Sequence, residues 1–250
     1  MILACKPIQI AVFASGRGTN ALNLVEYAQR YPNKFNIQCL ICDNPDAEVI
    51  EKIRRYDIIT YCIPFPSSKK GSLIHRKHLH EREILKTLER GSTDWVCLAG
   101  YMRVLSPYFL QSFYDDKIKG YRALNIHPSL LPKFPGKNAY SQAFSSQSKE
   151  SGITIHFVDE EVDSGQVFLQ EKFPRFDKDS LEDFQDRGLK VEHQLYRKAL
   201  DMIYEKKLPP IKERNIPYLS TKKTCFRIEI HSLEDSLEGK ELLKIAKKEL

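Results

Sequence analysis

No stretch of this 250-residue chain reaches the roughly 18 to 20 continuous apolar residues that a membrane span needs. The opening Met1-Ile2-Leu3-Ala4-Cys5-Lys6-Pro7 is broken too early for a secretory leader. Both lacks predict a cytoplasmic protein with no membrane partner. A second cysteine pair is also missing. Cys39-Leu40-Ile41-Cys42 has CxxC spacing, but it lies in an apolar run and does not open a helix, and no other pair completes a zinc site. Cys39, Cys42, Cys62 and Cys97 are therefore expected as small hydrophobes in buried strands. Charge of one sign is only mildly in excess, with 39 basic against 33 acidic residues and a net +6. A solvated, lysine-rich C-terminus accounts for most of it, so nucleic acid is not the expected partner. The cluster His75, His78, His80 stands among cations with no cysteine to help, which reads as a wet helix start, and no metal site is expected.

What is present is an alternation of short apolar runs and helical spacings. Ile8–Ala14 stops at Ser15-Gly16-Arg17-Gly18-Thr19-Asn20, and Leu22, Val25 and Ala28 follow at helical spacing. Further strands are expected over 36–42, 58–63 and 95–99, with helices through Val49, Ile50 and Ile53 and over 74–90. Ser106 and Pro107 suit the N-cap and first position of the next helix, and Ala123-Leu124-Asn125 makes a fifth strand. The pattern predicts an α/β fold, a Rossmann-like open, mostly parallel twisted sheet with helices on both faces. Past residue 150 two β-like runs, 153–158 and 167–172, bracket an acidic turn. A long helix then carries Leu181, Phe184, Gly188, Val191, Leu195, Ala199 and Met202 as one stripe. The expected organisation is one domain over 1–216 and a charged extension over 217–250.

Three segments carry candidate chemistry. The loop 15–20 offers free backbone N–H groups where a helix begins, a setting that favours an anion. It lacks the last glycine of GxGxxG and the Walker lysine, so a monophosphate fits better than a dinucleotide or triphosphate. A tight βα turn that needs glycine only for geometry is the alternative. In Asn125-Ile126-His127-Pro128-Ser129-Leu130-Leu131-Pro132 the amide and the imidazole stand two residues apart, hence on one face of a strand. A hydrogen-bond donor beside a proton carrier is what acyl transfer requires. The alternative is a capped turn with a packed histidine. Val162-Asp163-Ser164-Gly165 sets a carboxylate beside a glycine after a buried strand, within possible reach of a histidine, or else forms a solvated turn. His156, alternating with apolar neighbours, reads as a packed or supporting residue.

These segments, with Ala99-Gly100-Tyr101-Met102-Arg103-Val104-Leu105-Ser106 and Gly152–Val158, occur in the order found in the folate-dependent formyltransferases, which the chain resembles over about residues 8–205. The resemblance is nearest to members that act on 5-phosphoribosylglycinamide. It implies transfer of the formyl group of 10-formyltetrahydrofolate, the co-substrate, to the amine of that small molecule through a tetrahedral intermediate, with no metal required, in de novo purine biosynthesis. By the same matching Asn125 would donate to the oxyanion, His127 would handle the proton, and Asp163 would raise the histidine pKa. Gly18, Thr19 and Asn20 would hold the substrate phosphate and Glu192 its ribose hydroxyls. Arg76, Met102, Arg103, Val104 and Leu105 would contact folate together with Asn125 and the turn Asp159, Glu160, Glu161, Val162 and Asp163. The expected assembly is a monomer or homodimer.

Two features depart from the family pattern: Phe168 replaces a smaller aliphatic residue, and the family core leaves the extension past residue 217 unexplained. Methionyl-tRNA formyltransferase shares the catalytic motif but carries a further C-terminal domain, and fewer than about fifty residues follow the long helix here. Formyltetrahydrofolate hydrolase would need an added N-terminal domain. A catalytically silent nucleotide-binding protein on the same sheet is the alternative outside enzymes.

Overall fold

The computed structural model describes residues 6–67, 72–89 and 91–209. The charged extension expected over 217–250 lies outside the described residues. Fifteen elements follow in chain order: β1 (Ile8–Ala14), α1 (Thr19–Arg30), β2 (Phe35–Cys42), α2 (Glu48–Arg54), β3 (Thr60–Cys62), α3 (Leu73–Glu89), β4 (Trp95–Leu98), α4 (Pro107–Gln111), β5 (Tyr114–Asp115), β6 (Gly120–Tyr121), β7 (Ala123–His127), α5 (Ala139–Ser145), β8 (Glu150–Phe157), β9 (Val167–Pro174) and α6 (Leu181–Tyr204).

Seven strands form one sheet in the order β3-β2-β1-β4-β7-β8-β9. The first five run parallel, and β8 and β9 add antiparallel to β7. The side-chain period of two splits β1 between two cores. Ile10, Val12 and Ala14 meet residues of α1, α2 and α6 on one face. Ala11 and Phe13 meet Ile84 and Leu88 of α3 and Phe109 and Leu110 of α4 on the other. The expected mostly parallel sheet with helices on both faces is what the chain adopts.

The helices begin where their sequences dictate. The Ser106 hydroxyl accepts from the Phe109 N–H, with Pro107 in the first turn of α4. Ser180 and Asp183 form a reciprocal capping box at the start of α6. Tyr196 of α6, fully buried, reaches the sheet and donates to the Leu98 and Leu124 carbonyls at 3.0 and 3.3 Å. That ties the helix to β4 and β7, the strands that deliver two of the candidate loops.

Some local features differ from the sequence expectation. Cys39, Cys42 and Cys97 are buried, but Cys62 is exposed, because β3 is the edge strand and only one of its flanks is paired. The helix α5 was not predicted. Neither was the antiparallel pair β5–β6. His80 is no wet residue: it is 3% exposed, and its ring nitrogen lies 2.8 Å from the Ile63 carbonyl.

Candidate active site

Ligands of open α/β sheets bind outside the carboxyl ends of the strands, at the point where strand order reverses. A crevice of about 1080 Å3 lies there, lined by the loops after β1, β4 and β7, the turn after β8 and one side of α6.

At one end stands the loop after β1. Gly18 adopts φ +70° as the N-cap of α1, and no side chain caps that helix. A β-carbon at Gly18 would sit 2.2 Å from Val49 Cγ2, so both the conformation and α2 require glycine. The uncapped N–H groups of the first turn are the donors that suit an anion. The loop is held from behind by the Val49 N–H donating to the Gly16 carbonyl at 3.1 Å and Lys52 Nζ donating to the Arg17 carbonyl at 2.8 Å. Thr19 is half-buried at the crevice wall.

The Asn20 side chain is engaged elsewhere than expected: its amide donates to Glu192, leaving its Oδ1 buried with no partner among the described residues. Glu192 projects from α6 into the crevice and is 6% exposed. It accepts from Asn20 and from the Tyr140 hydroxyl of α5. Burial pushes the Glu192 carboxyl up, and those two hydrogen bonds and the nearby Arg17 charge offset only part of the push.

At the other end Asn125, His127 and Asp163 converge. Asn125 and His127 share a face of β7, as the two-residue spacing predicts, and both line the crevice. Asp163 reaches them from the turn after β8, at φ +54°. Its Oδ2 lies 3.3 Å from His127 Nδ1 and accepts from the Gly136 N–H at 2.7 Å. Its Oδ1 lies 3.5 Å from both His156 Nε2 and Asn125 Nδ2. Burial alone would raise the Asp163 carboxyl. The His156 bond, the Gly136 N–H and the adjacent imidazoles outweigh it and hold the carboxyl below the usual aspartate range. The other ring nitrogen of His127, Nε2, lies 2.8 Å from the Phe134 carbonyl. Both ring nitrogens thus face oxygen atoms, one of a carboxylate and one of a backbone carbonyl.

His156 Nδ1 lies 2.9 Å from the Phe157 carbonyl, and its Nε2 lies 3.1 Å from the Asn125 amide nitrogen beside Asp163 Oδ1. In this arrangement the Asn125 NH2 group points to His156 and Asp163. A modest turn of the amide would aim it at a substrate oxygen.

Between the two ends lie the loop after β4 and the acidic turn. Met102 and Val104 are 60% and 45% exposed, and Val162 is 55% exposed. Large apolar side chains left in water along a crevice fit a flat aromatic ligand. Leu105 also lines the crevice, but its side chain is buried in the core of the α3 face. Arg103 pairs with Asp43 at 2.7 Å and stacks over the Phe65 ring. Asp159, Glu161, Val162 and Asp163 reach the crevice wall. Glu160 instead faces the Tyr121 hydroxyl at 3.5 Å. Arg76 sits over the Phe65 ring and donates to the Pro66 carbonyl at 3.2 Å, away from the crevice lining.

Residues 8–200 match the formyl transferase family. This chain belongs to that family. Among relatives, the phosphoribosylglycinamide formyltransferase of Bacillus subtilis is 34% identical over 195 residues, covering 78% of this chain and 94% of its own length. The enzyme of the same name from Escherichia coli is 33% identical over 189 residues, covering 76% and 84%. Among solved structures, glycinamide ribonucleotide transformylase 1 from Symbiobacterium toebii matches with a TM-score of 0.72 at 31% identity, covering 82% of this chain and 95% of that one.

Within this formyl transferase the sequence reading gave no role to Tyr140 or Arg17, and it read His156 as a packed or supporting residue. Tyr140 had no signal, because α5 itself was not predicted. Arg17, on the crevice wall, was quoted only as part of the loop after β1. His156 carried a period-two signal, and its ring at the Asn125 amide is more than packing.

Proposed function

We propose that this chain transfers the formyl group of 10-formyltetrahydrofolate to the amine of 5-phosphoribosylglycinamide. The observation that carries the reading is one crevice with an uncapped helix start at one end and the Asn125, His127, Asp163 cluster at the other. A molecule with a phosphate at one end and a nucleophilic amine at the other spans such a site. The relatives' names supply the acceptor.

The roles follow from chemistry. The α1 N-terminus takes the phosphate dianion, and Arg17 adds charge beside it. Glu192, fixed by Asn20 and Tyr140, accepts from the ribose hydroxyls. When the amine attacks the formyl carbon, negative charge grows on the former carbonyl oxygen, and the Asn125 amide, turned from Asp163, and the His127 Nε2–H, turned from the Phe134 carbonyl, donate to it. Asp163, held ionised by its own hydrogen bonds, favours positive charge on His127 while that oxyanion exists. The imidazole gives a proton to the leaving nitrogen as the bond from the formyl carbon to that nitrogen breaks, and it recovers one from the nitrogen that attacked, so that tetrahydrofolate and the formylated amine depart. Met102, Val104 and Val162 give the folate ring an apolar wall. The turn 159–163 supplies backbone groups at its edge.

The deciding experiment mixes purified chain with each substrate alone and with both, and follows tetrahydrofolate release. Release only with both supports the reading. Release with the formyl donor and water alone would make the chain a hydrolase, and release only with aminoacylated tRNA would move the acceptor to RNA.

A further inference from the structure

Asp43 follows directly on β2 and is 7% exposed, and no role in the reaction above involves it. Its Oδ1 accepts from the Ser15 hydroxyl, and its Oδ2 accepts from Arg103 Nε at 2.7 Å. The Ser15 oxygen in turn accepts from the Met102 N–H at 2.8 Å. One buried carboxylate therefore holds both the backbone and a side chain of the loop after β4. We propose that Asp43 is a positioning residue for the folate side of the crevice, setting the shape of the Met102–Leu105 wall without touching either substrate. This inference rests on the function proposed above.

The two halves of the site depend on Asp43 unequally. The phosphate loop has its own anchors in the Gly16 carbonyl bond to Val49 and the Arg17 carbonyl bond to Lys52. Ser15 also keeps its backbone bond to the Gly100 carbonyl at 3.1 Å without the carboxylate. The Met102 N–H and the Arg103 guanidinium are tied through Asp43 or its serine partner. Bonds to a charged group are stronger than neutral ones, and the Asp43 pair fixes one edge of the guanidinium that lies over the Phe65 ring. Removing the charge should loosen the folate wall and spare the phosphate end.

The test is Asp43→Asn in the full chain, with tetrahydrofolate and 5-phosphoribosylglycinamide titrated separately by calorimetry and steady-state kinetics run alongside. Tetrahydrofolate affinity and the formyl donor's KM should each worsen roughly three- to tenfold. The affinity for 5-phosphoribosylglycinamide and kcat should stay within about twofold. Equal losses for both ligands, or no loss for tetrahydrofolate, would overturn the assignment and leave Asp43 a structural residue. If Asp43→Asn does not fold, Ser15→Ala removes the bonds to Met102 and to Asp43 Oδ1 but leaves the Asp43–Arg103 pair, and should give a smaller loss of the same selectivity, and unselective loss overturns the proposal equally. A wild-type chain that binds neither ligand would instead defeat the proposed function, a result distinct from any of these.

Discussion

Asp163 is a non-glycine residue in the left-handed region, at φ +54°, and its side chain meets His127, His156, Asn125 and the Gly136 N–H. A residue held in that sparse region is over-determined by what surrounds it. Asparagine tolerates the same backbone, so Asp163→Asn removes the charge and leaves the turn in place. The expected outcome is a kcat lower by about 10²- to 10⁴-fold, with the KM for 5-phosphoribosylglycinamide little changed. Steady-state kinetics with both substrates varied reads the two apart, and a variant with near-normal kcat would remove the carboxylate from the chemistry. Glu192 offers the opposite case. Its carboxyl is raised because burial penalises the anion, so the folded state holds its proton more tightly than the unfolded chain. Its contribution to stability is therefore present at low pH and falls as pH rises through the unfolded carboxyl value toward the folded one. Glu192→Gln should have a Tm close to wild type near pH 4 and above it at pH 7, while substrate affinity falls. A Tm gap that does not widen with pH would deny that the buried anion costs stability. The sequence made Asn125, His127 and Asp163 legible because a two-residue spacing and a motif order survive in one dimension. The Tyr140 and Asn20 bonds to Glu192 join residues far apart in the chain, and no local pattern announces them.

Among the elements, the strands of the parallel sheet were legible because a strand covered on both faces reads as an unbroken apolar run, as in Trp95–Leu98. The short helix α5 was not, since Asn138 opens it in the left-handed region with no side-chain cap and only Ala139 and Ala143 are buried. Paired strands of two residues, β5 and β6, are too short for a period to appear. The loop between β1 and α1 is where element geometry bears most directly on the proposed function. Gly18→Ala adds a methyl at positive φ, against Val49 at 2.2 Å. Left-handed backbone costs a non-glycine residue about 1 kcal/mol, and the contact with Val49 adds to it. The expected result is a lower Tm together with a higher KM for the phosphorylated amine and an unchanged KM for the formyl donor. Equal effects on both substrates would detach this helix start from the phosphate.

Across the whole molecule the crevice joins parts that are otherwise separate: α1 and α6 on one face, the loop after β4 on the other, and the antiparallel β8–β9 edge that carries Asp163. A ligand bound there bridges β1, β7 and α6 at once, and anything that binds the folded state alone stabilises it by mass action. At a free concentration about a hundredfold above its Kd, 5-phosphoribosylglycinamide should add about 2.7 kcal/mol, a Tm rise of roughly 5–10 °C for a domain near this size. Tetrahydrofolate should raise Tm separately, and the two together should raise it further, because they occupy different lengths of one crevice. Inorganic phosphate should give a small rise that Gly18→Ala abolishes. Two ligands that compete, so that the second adds nothing, would mean that a single subsite serves both and that a transfer between them within this crevice is excluded.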